Sequence, residues 1–327
     1  MKHRFLLLWA ALALALLFGA AAGHDWASPQ RLLTAFSGAS DMESRLLLVW
    51  RLPRVLAAGL VGALLGLGGA VFQGVFRNPL AEPYLLGASG GAAIGATIAL
   101  LVPLGLPGGP ALAGLSFLGA WGATWLVLAV SGLHGRPDTA GLLLAGVAVA
   151  AMLGALRSFL MLALSDDTVN LQVVLSWTLG GIQTPDLAGL ILLAVLAPAG
   201  LGLAMSLAQG LDLLGLGDEQ AFAFGLDPAR FARRAVLVGA AIVAVAVAFG
   251  GLVAFVGLIA PHLARWWIGP RHRALLPASA LIGAALVAAC DGIARAVLPP
   301  AEIPLGLVTA LIGGPFFLLL LARRLKP

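Results

Sequence analysis

Long uncharged apolar runs, parted by short polar or Pro/Gly-rich breaks, recur from one end of the chain to the other. Phe5–Ala22 is the first and Val55–Phe76 the second. Tyr84–Val102 and Ala111–Leu133 follow, split by a breaker that runs from Pro103 to Pro110 through Gly105, Pro107, Gly108 and Gly109. Thr139–Leu164, Leu187–Gln209, Ala235–Ala264, Ala274–Leu298 and Ile303–Ala322 complete the series. These runs are too long for strands and none alternates with a period of two. The pattern therefore predicts an all-α polytopic membrane protein and argues against a barrel.

Composition sharpens this reading. Of 327 residues, 61% are hydrophobic and only 10% are charged, against roughly 25% charged in soluble proteins. A soluble fold of this size could not cover so much apolar surface. That excludes a soluble enzyme, a disordered chain and a nucleic-acid binder. At roughly 20 residues per crossing, the apolar content allows about ten spans. The pI near 10.6 arises from few charges, and their placement reads as topology. Cys290 is the only cysteine, so no intrachain disulfide and no cysteine-based metal cluster is expected.

With the N-terminus inside and the runs alternating, 13 of the 19 basic residues fall on the inner side: Lys2, Arg4, Arg77, Arg136, Arg230, Arg233, Arg234, Arg265, Arg271, Arg273, Arg323, Arg324 and Lys326. Arg31, Arg45, Arg51 and Arg54 fall outside, which is the positive-inside pattern. It holds only if Ala235–Ala264 crosses twice, because basic clusters at both of its ends belong inside. Gly250-Gly251 can break that run. The expectation is ten spans in one transmembrane domain, residues 1–327, with both termini cytoplasmic. Two short broken spans need protein cover for their free backbone groups. The start, with Lys2, His3, Arg4 and Ala20-Ala21-Ala22, has features of a signal peptide. Its 18 apolar residues exceed the usual ~7–15-residue core of one, so the first span is expected to stay. Gly62/Gly66 and Gly91/Gly95 are small-xxx-small pairs that let helices approach closely.

Candidate chemistry sits at the ends of the spans. No phosphate-binding loop exists, since the only lysines are Lys2 and Lys326; if ATP drives the protein, another chain hydrolyses it. Arg51-Leu52-Pro53-Arg54, at an outer mouth, reads either as headgroup anchoring or as a dock for an acidic partner. Arg295 would join these arginines, with Asp291 one turn away. Gln73–Pro83 is irregular at the inner end of the second span, which reads as a turn or as a gate. Leu213–Pro228 is the longest inner loop, with Phe222 and Phe224 where a solvated loop needs none; an exposed apolar patch there suggests a protein interface. Arg157, inside a span, faces a cavity or an ion partner. His262, Arg265 and His272 form a cationic cluster with too few ligands for a metal. Gly87-Ala88-Ser89-Gly90 resembles an intramembrane protease signature, with His262 the candidate base for Ser89.

Taken together, Arg51-Leu-Pro-Arg54, Asn78-Pro-Leu-Ala-Glu-Pro83, Leu85-Leu-Gly-Ala-Ser-Gly90, Leu143-Leu-Ala-Gly146, Gly215-Leu-Gly-Asp218, Phe255–His262, His272-Arg273, Glu302-Ile-Pro-Leu-Gly306 and Gly313-Gly-Pro-Phe-Phe317 resemble the FecCD/BtuC-type permeases. These are membrane subunits of importers for iron-siderophores, haem and cobalamin. The resemblance implies a ten-helix permease bundle in the bacterial inner membrane, itself no enzyme. It implies pairing with a second copy, two ATPase subunits that carry ATP and Mg, and a periplasmic binding protein; this chain binds no cofactor and no metal. It implies docking on Arg51, Arg54 and Arg295. It implies cytoplasmic gates at Asn78, Pro79 and Leu80 and at Thr139 and Ala140, where a hydroxyl is often found in place of Ala140. It implies ATPase coupling through residues 210–230, at Asp218, Glu219, Gln220, Ala221, Phe222, Ala223, Phe224 and Gly225. Arg157 remains a candidate pathway contact. Iron(III)-siderophore is the expected cargo, with haem or cobalamin the alternative.

Overall fold

The computed structural model describes residues 2–23, 25–37, 42–131, 139–164, 171–182, 184–299 and 301–324. Arg136 and Lys326, counted among the inner basic residues, lie outside the described residues, as do the side chains of Thr139, Ala140, Arg323 and Arg324.

Every regular element among the described residues is helical. Helix α1 spans Lys2–Ala21, α2 Pro29–Phe36 and α3 Met42–Leu46. One wide turn at Leu47–Arg51 carries α3 into α4, Leu52–Val75. A 3₁₀ turn at Pro83–Leu86 leads to α5, Ala88–Leu101, then α6, Gly108–Ser131, and α7, Thr139–Leu164. The short α8, Leu171–Thr178, precedes α9, Leu187–Leu214, and α10, Asp218–Ala223. The chain closes with α11 (Pro228–Gly250), α12 (Val256–Ile268), α13 (His272–Ala296) and α14 (Leu305–Arg324). Eight of these elements are long and apolar enough to cross a membrane. α5 and α12, of 14 and 13 residues, are shorter. With them the bundle holds the ten apolar segments the sequence predicts.

The polar breaks set the helix ends. Asp186 caps α9 by accepting the Gly189 N–H at 2.8 Å, and Asp227 caps α11 by accepting that of Arg230 at 3.1 Å; each satisfies an orphan donor of the first turn. α2 and α3 themselves are helices that the apolar pattern did not resolve. Ser28 caps α2, and Ala35 of α2 and Ala27 just before the cap bury against Leu47.

α4 is the buried axis of the bundle, with 83% of its apolar window inside. Its glycines explain how neighbours come so close. A Cβ on Gly62 would run into the Gly283 carbonyl of α13, and one on Gly66 into that of Ser279. Gly91 and Gly95 of α5 sit likewise against the backbone of Gly119 and Leu115 in α6. Both small-residue pairs are therefore the seams of close helix contacts, α4 on α13 and α5 on α6. Lipid tails give no hydrophobic drive between helices, so such close backbone approach supplies the packing. α1 joins the bundle through Gly19, which faces Val55 and the Ala288 carbonyl, and through Arg4, whose Nη1 donates to the Trp267 carbonyl at 2.7 Å.

The run 235–264 does reverse. Gly239 of α11 packs on Val71 and Phe72 near the end of α4, whereas Gly250 packs on Val61, higher up. The chain then turns through residues 251–255, and α12 descends beside α4, bringing Gly257 to Gly69 and Arg265 to Gln73. Arg234 and Arg271 thus lie at one end of the bundle. Val256–Pro261 of α12 is buried throughout, which supplies the protein cover a broken helix needs at membrane depth.

Candidate functional site

Polar residues gather at the two ends of α4. At its start, Pro53, which has no N–H to donate, comes directly after the wide turn that leads in from α3, and Arg54 follows. Arg54 Nε donates to Asp291 Oδ1 at 3.0 Å, and Nη1 donates to Glu302 Oε2 at 2.8 Å. Asp291, on α13, is fully buried. Its second oxygen accepts from Arg295 Nε at 3.0 Å. Arg295 also donates to the end of α1 and the residue after it, from Nη2 to the Gly19 carbonyl and from Nη1 to the Ala22 carbonyl, both at 2.6 Å. Arg51 lies alongside, with its guanidinium against Gly23. Together with Trp50, Thr184 and Glu302 the three arginines line a cavity of about 230 Å³.

The three arginines grouped in the sequence line one cavity, but not equally. Arg295 is 5% exposed and faces inward, where the sequence reading had it presented to a partner. A buried guanidinium must be paired and hydrogen-bonded, and Asp291 with two main-chain carbonyls does this. The carboxylate of Glu302 was missed, since its motif gave no sign of which arginine it would meet. The patch that results is a basic cluster with its own acids set into it.

At the other end of α4 the backbone breaks. Arg77 has φ +50°, a left-handed conformation that costs a bulky residue roughly 1–2 kcal/mol. Asn78 Oδ1 then accepts the Leu80 N–H at 3.0 Å, which makes a tight side-chain-supported turn around Pro79. Glu82 reaches across to the break between α11 and α12 and accepts the Phe255 N–H at 2.8 Å. Phe255 is the other non-glycine with positive φ among the described residues. Burial pushes the Glu82 carboxyl above the ordinary carboxylate range, and the Phe255 N–H opposes this. Tyr84 donates from its hydroxyl to the Val253 carbonyl at 3.2 Å. The predicted gate residues Asn78, Pro79 and Leu80 thus lie in a non-helical segment whose far end, at Glu82, is tied to the hairpin break. Thr139 and Ala140 open α7.

Nearby, Gln73 bridges α4 and α12. Its Nε2 donates to the carbonyls of Gly257 and Leu258 at 3.4 Å, and its Oε1 accepts from Arg265 Nη1 at 3.1 Å. His272, opening α13, meets Asp212 of α9 with Nδ1 and Oδ1 2.7 Å apart. His262 packs edge-on against Phe316, with ring centroids 5.7 Å apart. The suspected cationic cluster is therefore three residues with three different partners. Ser89 opens α5, which packs on α6 and α7, whereas His262 belongs to α12, which packs on α4 and α13. The protease pair is not assembled.

The loop that follows α9 carries α10. Its end is a Schellman motif: Gly225 has φ +84° and donates to the Phe222 carbonyl at 2.9 Å, while Leu226 donates to that of Ala221 at 3.0 Å. Ala221 is buried against the bundle, but Phe222 and Phe224 stand 71% and 68% exposed. Asp218 Oδ1 lies 3.0 Å from Arg77 Nη1. Arg157, on α7, donates from Nη2 to Thr178 Oγ1 of α8 at 2.6 Å, and its buried Nε has no hydrogen-bond partner among the described residues.

A bundle of closely packed apolar helices, with broken helices inside it and organised polar groups at both ends, is the architecture of a multi-pass membrane permease. The chain belongs to the FecCD transport family, which it matches over residues 10–323. It is 40% identical over 278 residues to the hemin transport system permease protein HmuU of Yersinia pestis, covering 84% of this chain and 82% of that one. It is 42% identical over 274 residues to the cobalamin import system permease protein BtuC of Halobacterium salinarum, with 84% and 72% covered. Against the Fe(3+) dicitrate transport system permease protein FecD of Escherichia coli it is 37% identical over 295 residues, with 90% and 91% covered. Among solved structures it is similar to a metal-chelate type ABC transporter in an inward-facing conformation, with TM-score 0.84, 31% identity and 98% and 99% of the two chains covered. The chain is a permease of the ABC importer class.

Proposed function

We propose that this chain is the membrane subunit of an importer that carries an iron(III)-siderophore from a periplasmic binding protein to the cytoplasm by ATP-driven alternating access. Two copies would enclose the pathway. The broad apolar exposure of α7 and α14, at Leu144, Leu162 and Leu311, supports a second copy or lipid on those faces. The Arg54 end faces the periplasm in this reading and the Asp218 end the cytoplasm, where both chain termini also lie, as the positive-inside pattern requires. Arg51 and Arg54 dock the binding protein, and Arg295 contributes from beneath by holding Asp291. Residues 210–230 meet the ATPase, which carries ATP and Mg. Asn78, Pro79 and Leu80 with Thr139 and Ala140 form the cytoplasmic gates. Arg157 contacts the cargo, and an arginine there suits an anionic chelate.

The observation that carries this reading is the shared architecture of the two ends: a basic, cavity-lining cluster at one and a protruding, phenylalanine-bearing loop at the other. Haem or cobalamin is the second reading, favoured by the named activities of the HmuU and BtuC relatives. Binding of the partner protein tests the docking end. Arg54→Glu should slow association and remove most of its salt dependence, because charge pairs at interfaces mainly set on-rate and register. Unchanged affinity and salt dependence would leave headgroup anchoring as the role of the cluster. Offering ferric siderophore, haem and cobalamin to the assembled transporter decides among cargoes, and accumulation of haem or cobalamin alone would overturn the siderophore assignment.

A further inference from the structure

The segment between α4 and α5 is held at both ends, and the outer hold is on the exposed loop that carries Phe222 and Phe224. Its inner end is fixed at the hairpin break by Glu82 on the Phe255 N–H at 2.8 Å and by Tyr84 on the Val253 carbonyl at 3.2 Å. Its outer end is tied to the first residue of α10 by Arg77 Nη1 on Asp218 Oδ1 at 3.0 Å. We propose that the Arg77–Asp218 ion pair is the link that passes movement of the α10 loop to the Asn78–Leu80 segment.

Stability does not account for this pair. The two side chains are 41% and 62% exposed, and an ion pair so wet contributes little to folding. What it fixes is position. Arg77 holds a left-handed backbone at φ +50° because it closes α4: its N–H bonds the Gly74 carbonyl and that of Asn78 the Gln73 carbonyl, both at 3.2 Å, so its guanidinium is presented from a fixed point. Asp218 itself is held, because α10 is stopped by its Schellman turn and seated by buried Ala221. A shift of α10 therefore pulls on Arg77, while Glu82 and Tyr84 keep the far end still. Arg77 and Asn78 are bonded to the last turn of α4, so the pull turns that end and carries Pro79, Leu80 and Ala81 with it. Their internal bonds, Asn78 Oδ1 to the Leu80 N–H at 3.0 Å and the Asn78 carbonyl to the Ala81 N–H at 3.0 Å, make them turn as a unit. A two-position element biased at one end by a bound partner is the physical form such coupling takes.

The proposal rests on the reading of residues 210–230 as the ATPase contact, and the test separates the two. Complexes with the ATPase and binding protein are reconstituted in vesicles with native chain, Arg77→Asp, Asp218→Arg and the double exchange. Chelate moved per ATP hydrolysed should fall at least tenfold in each single variant and return to within threefold of native in the exchange. A native ratio in the single variants, or an exchange no better than they are, overturns the link; a purely steric role of either residue would not be rescued by the exchange. A second readout needs neither ATPase nor chelate. In the permease alone in lipid nanodiscs, amide exchange across residues 77–82 should quicken in Asp218→Arg and recover in the exchange. Identical rates in all four proteins overturn the proposal. If the native complex hydrolyses ATP without moving any chelate, the transport reading falls while this second measurement still decides on the ion pair.

Discussion

Arg54 and Arg295 meet on a single buried carboxylate: Asp291 gives one oxygen to each, 3.0 Å from either guanidinium. The arrangement ties α4 to α13 and, through Arg295, both to the end of α1. Removing one partner of a buried pair leaves an uncompensated charge, which costs about 3–5 kcal/mol. Asp291→Asn keeps the shape and removes the charge. It should lower the thermal midpoint in detergent by several degrees, well beyond the effect of Glu302→Gln, whose carboxylate is half exposed. Equal effects would mean that the carboxylate is not the anchor.

Helix seams built on glycine make a second expectation. Gly62→Ala puts a methyl group into the Gly283 backbone, which cannot yield as a side chain tip would. Overpacking of this kind costs roughly 1–3 kcal/mol. Gly114→Ala, on α6 with nothing near its Cβ position, should be neutral or slightly stabilising through helix propensity. The comparison is read by thermal unfolding of the two variants in one detergent.

Much of this was written in the apolar pattern. The run Thr139–Leu164 is helical throughout as α7, and the reversal within 235–264 followed from basic clusters that had to share a side. What pattern could not supply was pairing across the bundle. Asp291 beside Arg295 was visible because both lie one turn apart on a helix. Glu302 with Arg54, Glu82 with Phe255, His272 with Asp212 and Asp218 with Arg77 join residues far apart in sequence, and nothing in the stretch around each carboxylate names its partner. Burial of Arg295 was equally illegible, since its two acceptors at the end of α1 are main-chain carbonyls that any sequence possesses. The helices α2 and α3 were hidden for another reason: they are short and half polar, so neither length nor periodicity marks them.

The reversal itself can be read from labelling. Cysteines placed at Arg234 and Arg271, both exposed, should react with a membrane-impermeant maleimide from the same side of sealed vesicles, and one at Trp50 from the opposite side. The native Cys290 is buried and adds little background. Labelling of 234 and 271 from opposite sides would mean that 235–264 crosses once.

Phe222 offers a test of the exposed loop. Phe222→Asp sets a charge where the account has an apolar contact, and desolvating it there is costly. The variant should fold normally, because the side chain is 71% exposed, yet lose its ATPase subunit during purification. Retention of the subunit with native hydrolysis would move the contact elsewhere.

The central claim is that energy enters this permease from a partner that hydrolyses ATP, with cargo delivered from the other side. Vesicles holding the assembled transporter, with ATP confined to the Asp218 face and chelate-loaded binding protein to the Arg54 face, measure it most directly. The account predicts accumulation on the ATP side that needs both ATP and binding protein and ignores collapse of proton or sodium gradients. Accumulation driven by an ion gradient with no ATP present would contradict it.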